Sequence, residues 1–232
     1  MADQRPSRAS EAFWGRRRGK TLKPLQSSAL DRVRERYFVD IGQEAPEQLA
    51  NLFHFDVEAI HLEIGFGGGE HLLAHALRRP GVGFIGVEPF VNSMAKMSAA
   101  MEDADVANIR LYDDDATRLL DWLPEASLDG IDLLYPDPWP KSRHWKRRFV
   151  SHKNLDRFAR VMKPGARFRF ASDIDTYVNW TLQHILARND FRWIVEDATS
   201  WRTPYENWVR TRYEAKAIRE ERTPCYLTFE RV

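Results

Sequence analysis

A glycine-rich turn at residues 63–69 (EIGFGGG) lies between a short apolar run and a segment with helical spacing. Glycine permits a tight turn and lets the backbone approach a ligand closely. A second apolar run ends at Glu88, 23 residues after Gly65. An acid about 20 residues beyond such a turn accepts hydrogen bonds from the ribose hydroxyls of an adenosine. The spacing therefore predicts an adenosine-containing ligand held by Gly65, Gly67 and Glu88.

The acids around this turn distinguish between adenosine cofactors. A dinucleotide fingerprint has glycine at the sixth position, where this chain has Glu70, and a carboxylate there would repel a pyrophosphate. Glu63, at the entrance to the turn, suits a cationic or amine-bearing group instead. Of the three aspartates that follow a third apolar run, we expect Asp115 to contact the adenine, although the three would equally suit a solvated turn. The pattern favours S-adenosylmethionine over NAD.

The most specific segment is the loop at 135–148 (YPDPWPKSRHWKRR), which follows a fourth apolar run. Its three prolines stiffen it and exclude a helix or a central strand. They hold Asp137 at the end of the strand, beside the expected cofactor, while Trp139 offers a flat face for a base and the following cations can reach phosphates. This combination indicates a nucleotide within a polyanion. A purely structural proline-rich loop is the alternative interpretation.

Positive charge is segregated along the chain. The 232 residues carry a net charge of only +1, yet residues 1–28 and the run at 141–148 are strongly basic and the remainder is correspondingly acidic. Such segregation indicates a polyanionic partner. For residues 1–28 alone, a solvated and disordered tail is the simpler interpretation.

Composition disfavours several classes of protein. A single cysteine, Cys225, precludes an internal disulfide, and no apolar run approaches the ~18 residues that would span a bilayer. We therefore expect a cytoplasmic protein that does not associate with membranes. The seven histidines show no metal-ligand spacing, so no metal is expected. Whether the protein is a monomer or a homodimer stays open.

Apolar runs alternate with helical spacing along most of the chain. The predicted strands cover 59–64, 83–87, 109–112, 131–135 and 167–171. The predicted helices cover 70–77, 91–102, 151–161 and 174–187, and a final strand pair is expected at 193–195 and 226–230. The alternation predicts an α/β protein with a doubly wound, Rossmann-like sheet, mostly parallel with an antiparallel C-terminal strand. We expect a flexible basic N-terminal arm at 1–28 and a single domain at 29–232.

Several segments together resemble the bacterial tRNA (guanine-N7-)-methyltransferase family. They occur in the family's order from about residue 60 to the end of the chain, at 62–69 (LEIGFGGG), 86–89 (GVEP), 136–141 (PDPWPK), 143–148 (RHWKRR), 171–173 (ASD) and 211–214 (TRYE). The proline–tryptophan–lysine segment is the most specific of them. Pro140 and Trp145 depart from the family's pattern, which has polar residues at these two positions. The resemblance implies a class I methyltransferase fold.

The resemblance also implies roles for individual residues. Asp137 would be the catalytic residue, and S-adenosylmethionine would be contacted by Glu63, Glu88, Asp115 and Asp137. Substrate would be bound by Lys141, Asp173, Thr211, Arg212, Tyr213 and Glu214. RNA would be contacted by Arg143, His144, Trp145, Lys146, Arg147 and Arg148. The implied reaction is methylation of guanine N7 at position 46 in the variable loop of tRNA, with either Asp173 or Glu214 recognising the guanine edge.

Two other functions fit part of the pattern. Enzymes that methylate an exocyclic amine of a nucleic acid often carry an Asn/Asp-Pro-Pro-aromatic loop, which residues 137–140 (DPWP) imitate only in part. A non-catalytic RNA-binding module with a vestigial cofactor fold is the second. An NAD-linked oxidoreductase is disfavoured by Glu70.

Overall fold

The computed structural model describes residues 14–197 and 199–232. At its centre lies one sheet of seven strands, β1 (Ala59–Ile64), β2 (Val82–Val87), β3 (Ile109–Tyr112), β4 (Leu128–Leu134), β5 (Met162–Ser172), β6 (Phe191–Ile194) and β7 (Cys225–Arg231). The α-helices are α1 (Pro24–Tyr37), α2 (Glu70–Arg78), α3 (Val91–Ala104), α4 (Ala116–Trp122), α5 (His152–Val161), α6 (Asp175–Leu186) and α7 (Arg212–Arg219). Short 3-10 helices cover Leu49–Leu52, Ser142–Arg147 and Ser200–Arg202.

The strand order confirms the predicted doubly wound sheet. The strands lie in the order β3-β2-β1-β4-β5-β7-β6, with β1 to β5 parallel and β7 antiparallel to both β5 and β6. The chain runs outward from β1 to β3 and then returns to place β4 on the other side of β1. In such sheets ligands bind at the carboxyl ends of the strands beside this reversal.

Each face of the sheet carries its own hydrophobic core because neighbouring residues of a strand point to opposite sides. In β2, Val82 and Phe84 pack into one cluster, while Ile85 and Val87 pack into the other. Helices α1, α2 and α3 contribute to the first cluster, and α4, α5 and α6 to the second. The strands are thereby fixed from both sides, and their carboxyl ends form a rigid rim.

The structure corrects several predicted boundaries. β5 begins at Met162, whereas the predicted strand began at residue 167, because a register shift between Leu128 and Gly130 of β4 accommodates the extra residues. α4 and α7 were not predicted, since helices of seven and eight residues give little periodicity. The expected arm boundary at residue 28 falls inside α1, which begins at Pro24.

The described part of the expected N-terminal arm lies against α3. The Arg17 carbonyl accepts a hydrogen bond from Val91 N at 3.0 Å, and Gly19 N donates to Asn92 Oδ1 at 2.8 Å. Arg17 also forms an ion pair with Asp114 at 2.6 Å. Residues 1–13 lie outside the described part of the chain. No helix among the described residues is long and apolar enough to cross a membrane.

Candidate active site at the carboxyl edge of the sheet

A cavity of about 720 Å³ opens at the carboxyl ends of β1, β2 and β4. Its volume lies within the range of small-molecule sites, about 300–1,000 Å³. Its walls come from the glycine-rich turn, the end of β2, the start of α4, the loop after β4, the start of α7 and residues 14–16. Chain segments far apart in the sequence therefore meet at the predicted edge.

The glycine-rich turn has the backbone conformation that the sequence predicted. Gly65 and Gly67 have φ angles of +73° and +57°, which L-residues with side chains rarely adopt. Gly65 N donates to the Val87 carbonyl at 2.8 Å, and a Cβ at Gly65 would have no heavy atom within 4 Å. Gly65 therefore presents bare backbone to the cavity, which is the cradle that a closely bound ligand needs.

Glu88 ties this turn to β2 and lines the cavity. Its Oε2 accepts a hydrogen bond from Gly67 N at 2.8 Å, and its Oε1 accepts one from Phe90 N at 2.9 Å. Burial raises the pKa of Glu88, although the two backbone donors act in the opposite direction. Each oxygen keeps a further lone pair, so the carboxylate can still accept from the two hydroxyls of a ribose.

Of the three consecutive aspartates, Asp115 is the one that lines the cavity. Its Oδ1 caps α4 by accepting from Thr117 N and Thr117 Oγ1, both at 2.9 Å. Asp113 is paired with Arg34 at 2.5 Å, and Asp114 is paired with both Arg17 and Arg118. The structure thus brings to the cavity the aspartate that the sequence analysis selected.

Glu63 does not line the cavity, contrary to the expected contact with the cofactor. Its Oε2 lies 2.7 Å from His71 Nδ1, and His71 Nε2 lies 2.6 Å from the Tyr205 hydroxyl. Burial lowers the pKa of His71, but the Glu63 carboxylate raises it more, so the pKa lies above its ordinary value. Glu63 points to the α2 face of the sheet because Ile64, its neighbour in β1, packs on the opposite face.

The loop after β4 presents Asp137 at the cavity. The residue is open to solvent, and the cavity walls nevertheless desolvate it enough to raise the pKa of its carboxyl group. Tyr135 and Trp139 flank it with φ angles of +51° and +43°. Positive φ in bulky residues is strained and persists only where the surroundings fix it. The loop is therefore held in one shape around Asp137.

Arg148, which the sequence resemblance assigned to RNA contact, provides much of this fixation in the structure. Its side chain is 3% exposed. Nε donates to the Pro138 carbonyl at 2.9 Å, Nη1 to the Thr176 carbonyl at 2.7 Å and Nη2 to Thr176 Oγ1 at 2.9 Å. Three of the five N–H donors of the guanidinium are thus engaged by partners inside the protein. The sequence shows a run of cations but not which one points inward.

The other members of the basic run lie nearer the surface. Lys141, Arg143 and Lys146 are exposed. The Trp145 ring packs edge-on against Trp180, with centroids 5.9 Å apart. His144 contacts the ring of Trp139. Arg147 contacts the rings of both Trp14 and Trp139.

The C-terminal segment reaches the cavity only in part. Arg212 and Tyr213 line the cavity, and a Cβ at Gly67 would lie 3.3 Å from the Tyr213 ring. Thr211 instead caps α7 by accepting from Glu214 N at 3.1 Å. This segment therefore covers the glycine-rich turn.

The two acids expected to recognise guanine are both engaged elsewhere. Glu214 is 3% exposed, and its oxygens accept from Trp208 Nε1 at 2.6 Å and from the Tyr226 hydroxyl at 2.5 Å. Asp173 is paired with Arg222 at 2.5 Å and does not line the cavity. In this structure Glu214 is a buried hydrogen-bonding residue, and its contact with guanine stays a prediction.

Several residues that line the cavity were not predicted. They come from the N-terminal segment and the start of α5, and they are Trp14, Arg16, His152, Lys153 and Arg157. No local motif marks them, because their position depends on how distant segments pack. Among the described residues, no group of three His, Cys, Asp or Glu side chains could hold a metal ion.

Comparison with known proteins identifies the family. A family model described as "Putative methyltransferase" matches residues 57–227. A tRNA (guanine-N(7)-)-methyltransferase of Mesorhizobium japonicum is 64% identical over 98% of this chain and 97% of its own, and one of Chelativorans sp. is 60% identical over the whole of both chains. The solved structure of the 16S rRNA methyltransferase KamB shares the fold, with a TM-score of 0.54, 16% identity and coverage of 82% of this chain and 95% of that one. The chain thus belongs to the tRNA (guanine-N(7)-)-methyltransferase family.

Proposed function

We propose that this protein transfers the methyl group of S-adenosylmethionine to N7 of a guanine in tRNA, at position 46 of the variable loop, in the cytoplasm. The observation that carries the proposal is the position of Asp137. It lines the same cavity as Gly65 and Glu88 and is followed along the chain by exposed cations. The relatives' names support the reaction, and the sequence resemblance supports the position in the RNA.

The cavity residues fit the proposed methyl donor. Glu88 would accept from its ribose hydroxyls, the bare backbone of Gly65 would allow close approach, and Asp115 would contact the adenine. When bound, S-adenosylmethionine supplies an electrophilic methyl group on a positively charged sulfur. The acids that line this part of the cavity suit that charge, whereas they would repel a pyrophosphate.

The residues around Asp137 match a reaction that needs no general base. Guanine N7 carries a lone pair and no proton, so the new C–N bond forms as the S–C bond breaks and no proton is lost. The positive charge passes from sulfur to the purine. A fixed carboxylate beside this path stabilises positive charge throughout the transfer, and such preorganised electrostatics often contribute most to catalysis. We assign this role to Asp137.

The exposed cations give the site its affinity for RNA. Lys141, Arg143 and Lys146 are exposed on the loop that carries Asp137, and Arg212 and Tyr213 line the cavity from the α7 side. Phosphate contacts position a nucleic acid without selecting its sequence. Flipping the target base out of the folded RNA would cost a few kcal/mol, which stacking and phosphate contacts offset.

The experiment that tests the proposal maps the methylated atom. Unmodified tRNA is incubated with the protein and S-adenosylmethionine and then treated to cleave the strand at N7-methylguanine. We expect one cleavage site, at position 46, and none in a transcript with adenine there. Methyl incorporation without cleavage would show transfer to an exocyclic amine. RNA binding without incorporation would show a non-catalytic RNA-binding module.

A further inference from the structure

Two tryptophans from distant parts of the chain share one cation at the cavity. Trp14 belongs to the N-terminal segment and Trp139 to the loop after β4, and both line the cavity that contains Asp137. The guanidinium carbon of Arg147 lies 4.4 Å from the ring centroid of Trp14 and 4.9 Å from that of Trp139. We call the space between these two rings the aromatic slot. A flat cation occupies it in this structure.

Among the described residues, stacking contacts alone hold Arg147 in place. Its Nε is buried without a hydrogen-bond partner, and no described residue forms a hydrogen bond or an ion pair with its side chain. Its neighbour Arg148 differs, because three hydrogen bonds fix that guanidinium inside the protein. Arg147 can therefore leave the slot without breaking a hydrogen bond, and its departure would relieve a buried unpaired donor.

The distances from Arg147 to the two rings are compatible with a base lying between them. The two distances to Arg147 place the ring centroids no more than about 9 Å apart. A base stacked on both rings needs about 7 Å, twice the contact distance of about 3.5 Å between carbon atoms. The positive φ of Trp139 fixes one wall. The hydrogen bonds of Arg17 and Gly19 to α3 hold the segment that carries the other.

We propose that the aromatic slot receives the target guanine and binds it more tightly in the methylated, cationic form, with Arg147 as its occupant in the free protein. The inference rests on the proposed transfer to guanine N7. N7-methylguanine is flat and positively charged, like the guanidinium that fills the slot now. Tryptophan faces attract cations through their ring quadrupoles, more strongly than the rings of Tyr or Phe do.

This preference would contribute to catalysis as well as to binding. Positive charge grows on the purine during transfer, so the slot interacts more strongly with the transition state than with unmodified guanine. Only such differential binding accelerates a chemical step. A slot that favours the cationic product would also retain it. Arg147 opposes this retention because its side chain competes for the same rings.

Calorimetry with two nucleotides tests the slot without requiring turnover. We expect 7-methylguanosine monophosphate to bind the native protein about tenfold more tightly than guanosine monophosphate. Trp14→Leu should bring the two affinities to within about twofold, whereas Trp14→Phe should keep part of the difference because a ring remains. Trp193→Phe is the matched control, since Trp193 lies on β6 at the opposite edge of the sheet, and it should leave the ratio unchanged.

Arg147→Ala tests whether Arg147 occupies the slot. Removing a competitor should tighten the binding of 7-methylguanosine monophosphate by about threefold or more. Equal affinity of the native protein for the two nucleotides, or weaker binding to Arg147→Ala, would overturn the proposal. Strand cleavage at the methylated guanine tests the reaction separately, so either proposal can fail while the other stands.

Discussion

Asp137 is the residue on which the proposed chemistry depends, because its carboxylate faces the cavity and the loop around it is fixed. We expect Asp137→Ala to lower the rate of methyl transfer by about 100-fold or more, since preorganised charge is lost where positive charge develops. The thermal unfolding midpoint should change little, as Asp137 is open to solvent.

Initial rates with saturating tRNA measure this effect. Asp113→Ala is the control, because that carboxylate is paired with Arg34 outside the cavity and its loss should leave the rate near that of the native protein. Near-native turnover of Asp137→Ala would remove Asp137 from the mechanism.

Glu214 gives a second prediction at the scale of the residue. Both of its partners, Trp208 Nε1 and the Tyr226 hydroxyl, donate hydrogen bonds to it. Glu214→Gln has one carbonyl oxygen, so its amide donor would face one of these donors. We expect the free energy of unfolding to fall by about 1–3 kcal/mol, as measured by urea denaturation.

The selectivity of methyl transfer for guanine over adenine at the target position is the second quantity to measure for Glu214→Gln. It should stay unchanged, because the side chain is buried away from the cavity. A loss of selectivity without a loss of stability would return Glu214 to the guanine edge.

Residue types and spacing predicted which segments line the cavity better than they predicted the direction in which each side chain points. Gly65, Glu88 and Asp115 could be assigned because a parallel sheet brings its carboxyl ends together wherever the strands begin and end. The direction of the Glu63 and Arg148 side chains could not be predicted in this way. Whether a side chain on a strand faces the ligand or the other side depends on the register of the sheet and the packing of helices, which no local pattern records.

At the scale of the element, the loop after β4 depends on Arg148. Lysine cannot reproduce its hydrogen bonds to the carbonyls of Pro138 and Thr176. We expect Arg148→Lys to reduce kcat by about ten- to a hundredfold, because a small displacement of reacting groups is costly.

The salt dependence of RNA binding separates this role from phosphate contact. Arg148→Lys should keep the native slope of affinity against salt, while Lys146→Ala, which removes an exposed cation, should flatten it by about one phosphate contact. A flatter slope in Arg148→Lys would restore Arg148 to the RNA surface.

The elements with a clear apolar pattern were predictable, whereas the short helices α4 and α7 were not. β1, β3 and α3 carry enough apolar residues to show their period, and the first two agree with the predicted bounds. α7 has eight residues, and Thr211 caps it through Glu214 N. The sequence resemblance assigned residues 211–214 to substrate binding, whereas in the structure they form the cap and the first turn of α7. The structure shows the capping of α7, and substrate binding by this segment stays a prediction.

At the scale of the whole molecule, His61 and His75 make the stability of the fold sensitive to acid. Burial lowers the pKa of both His61 and His75 to about 4, compared with about 6.5 in the unfolded chain. The unfolded chain therefore binds more protons as the pH falls from about 6.5 to about 4, and the folded state loses stability across that range. His71 acts oppositely. Its raised pKa stabilises the fold below about 6.5, and this stabilisation is lost as the pH rises through the folded value.

His61→Gln should therefore reduce the loss of stability between pH about 6.5 and about 4. Urea midpoints across that range measure the effect. His54→Gln is the control, because His54 is exposed, and it should follow the native profile. An unchanged slope in His61→Gln would show that His61 is not the group that titrates.

The proposed methyl acceptor is a single atom of the RNA, the N7 of one guanine. A tRNA carrying 7-deazaguanine at position 46 has carbon in place of that nitrogen and keeps the Watson–Crick edge. We expect this RNA to bind with near-native affinity and to accept no methyl group, while the guanine-containing RNA is methylated. Continued methylation of the 7-deazaguanine tRNA at the native rate would contradict the account, because the methyl group would then have another acceptor.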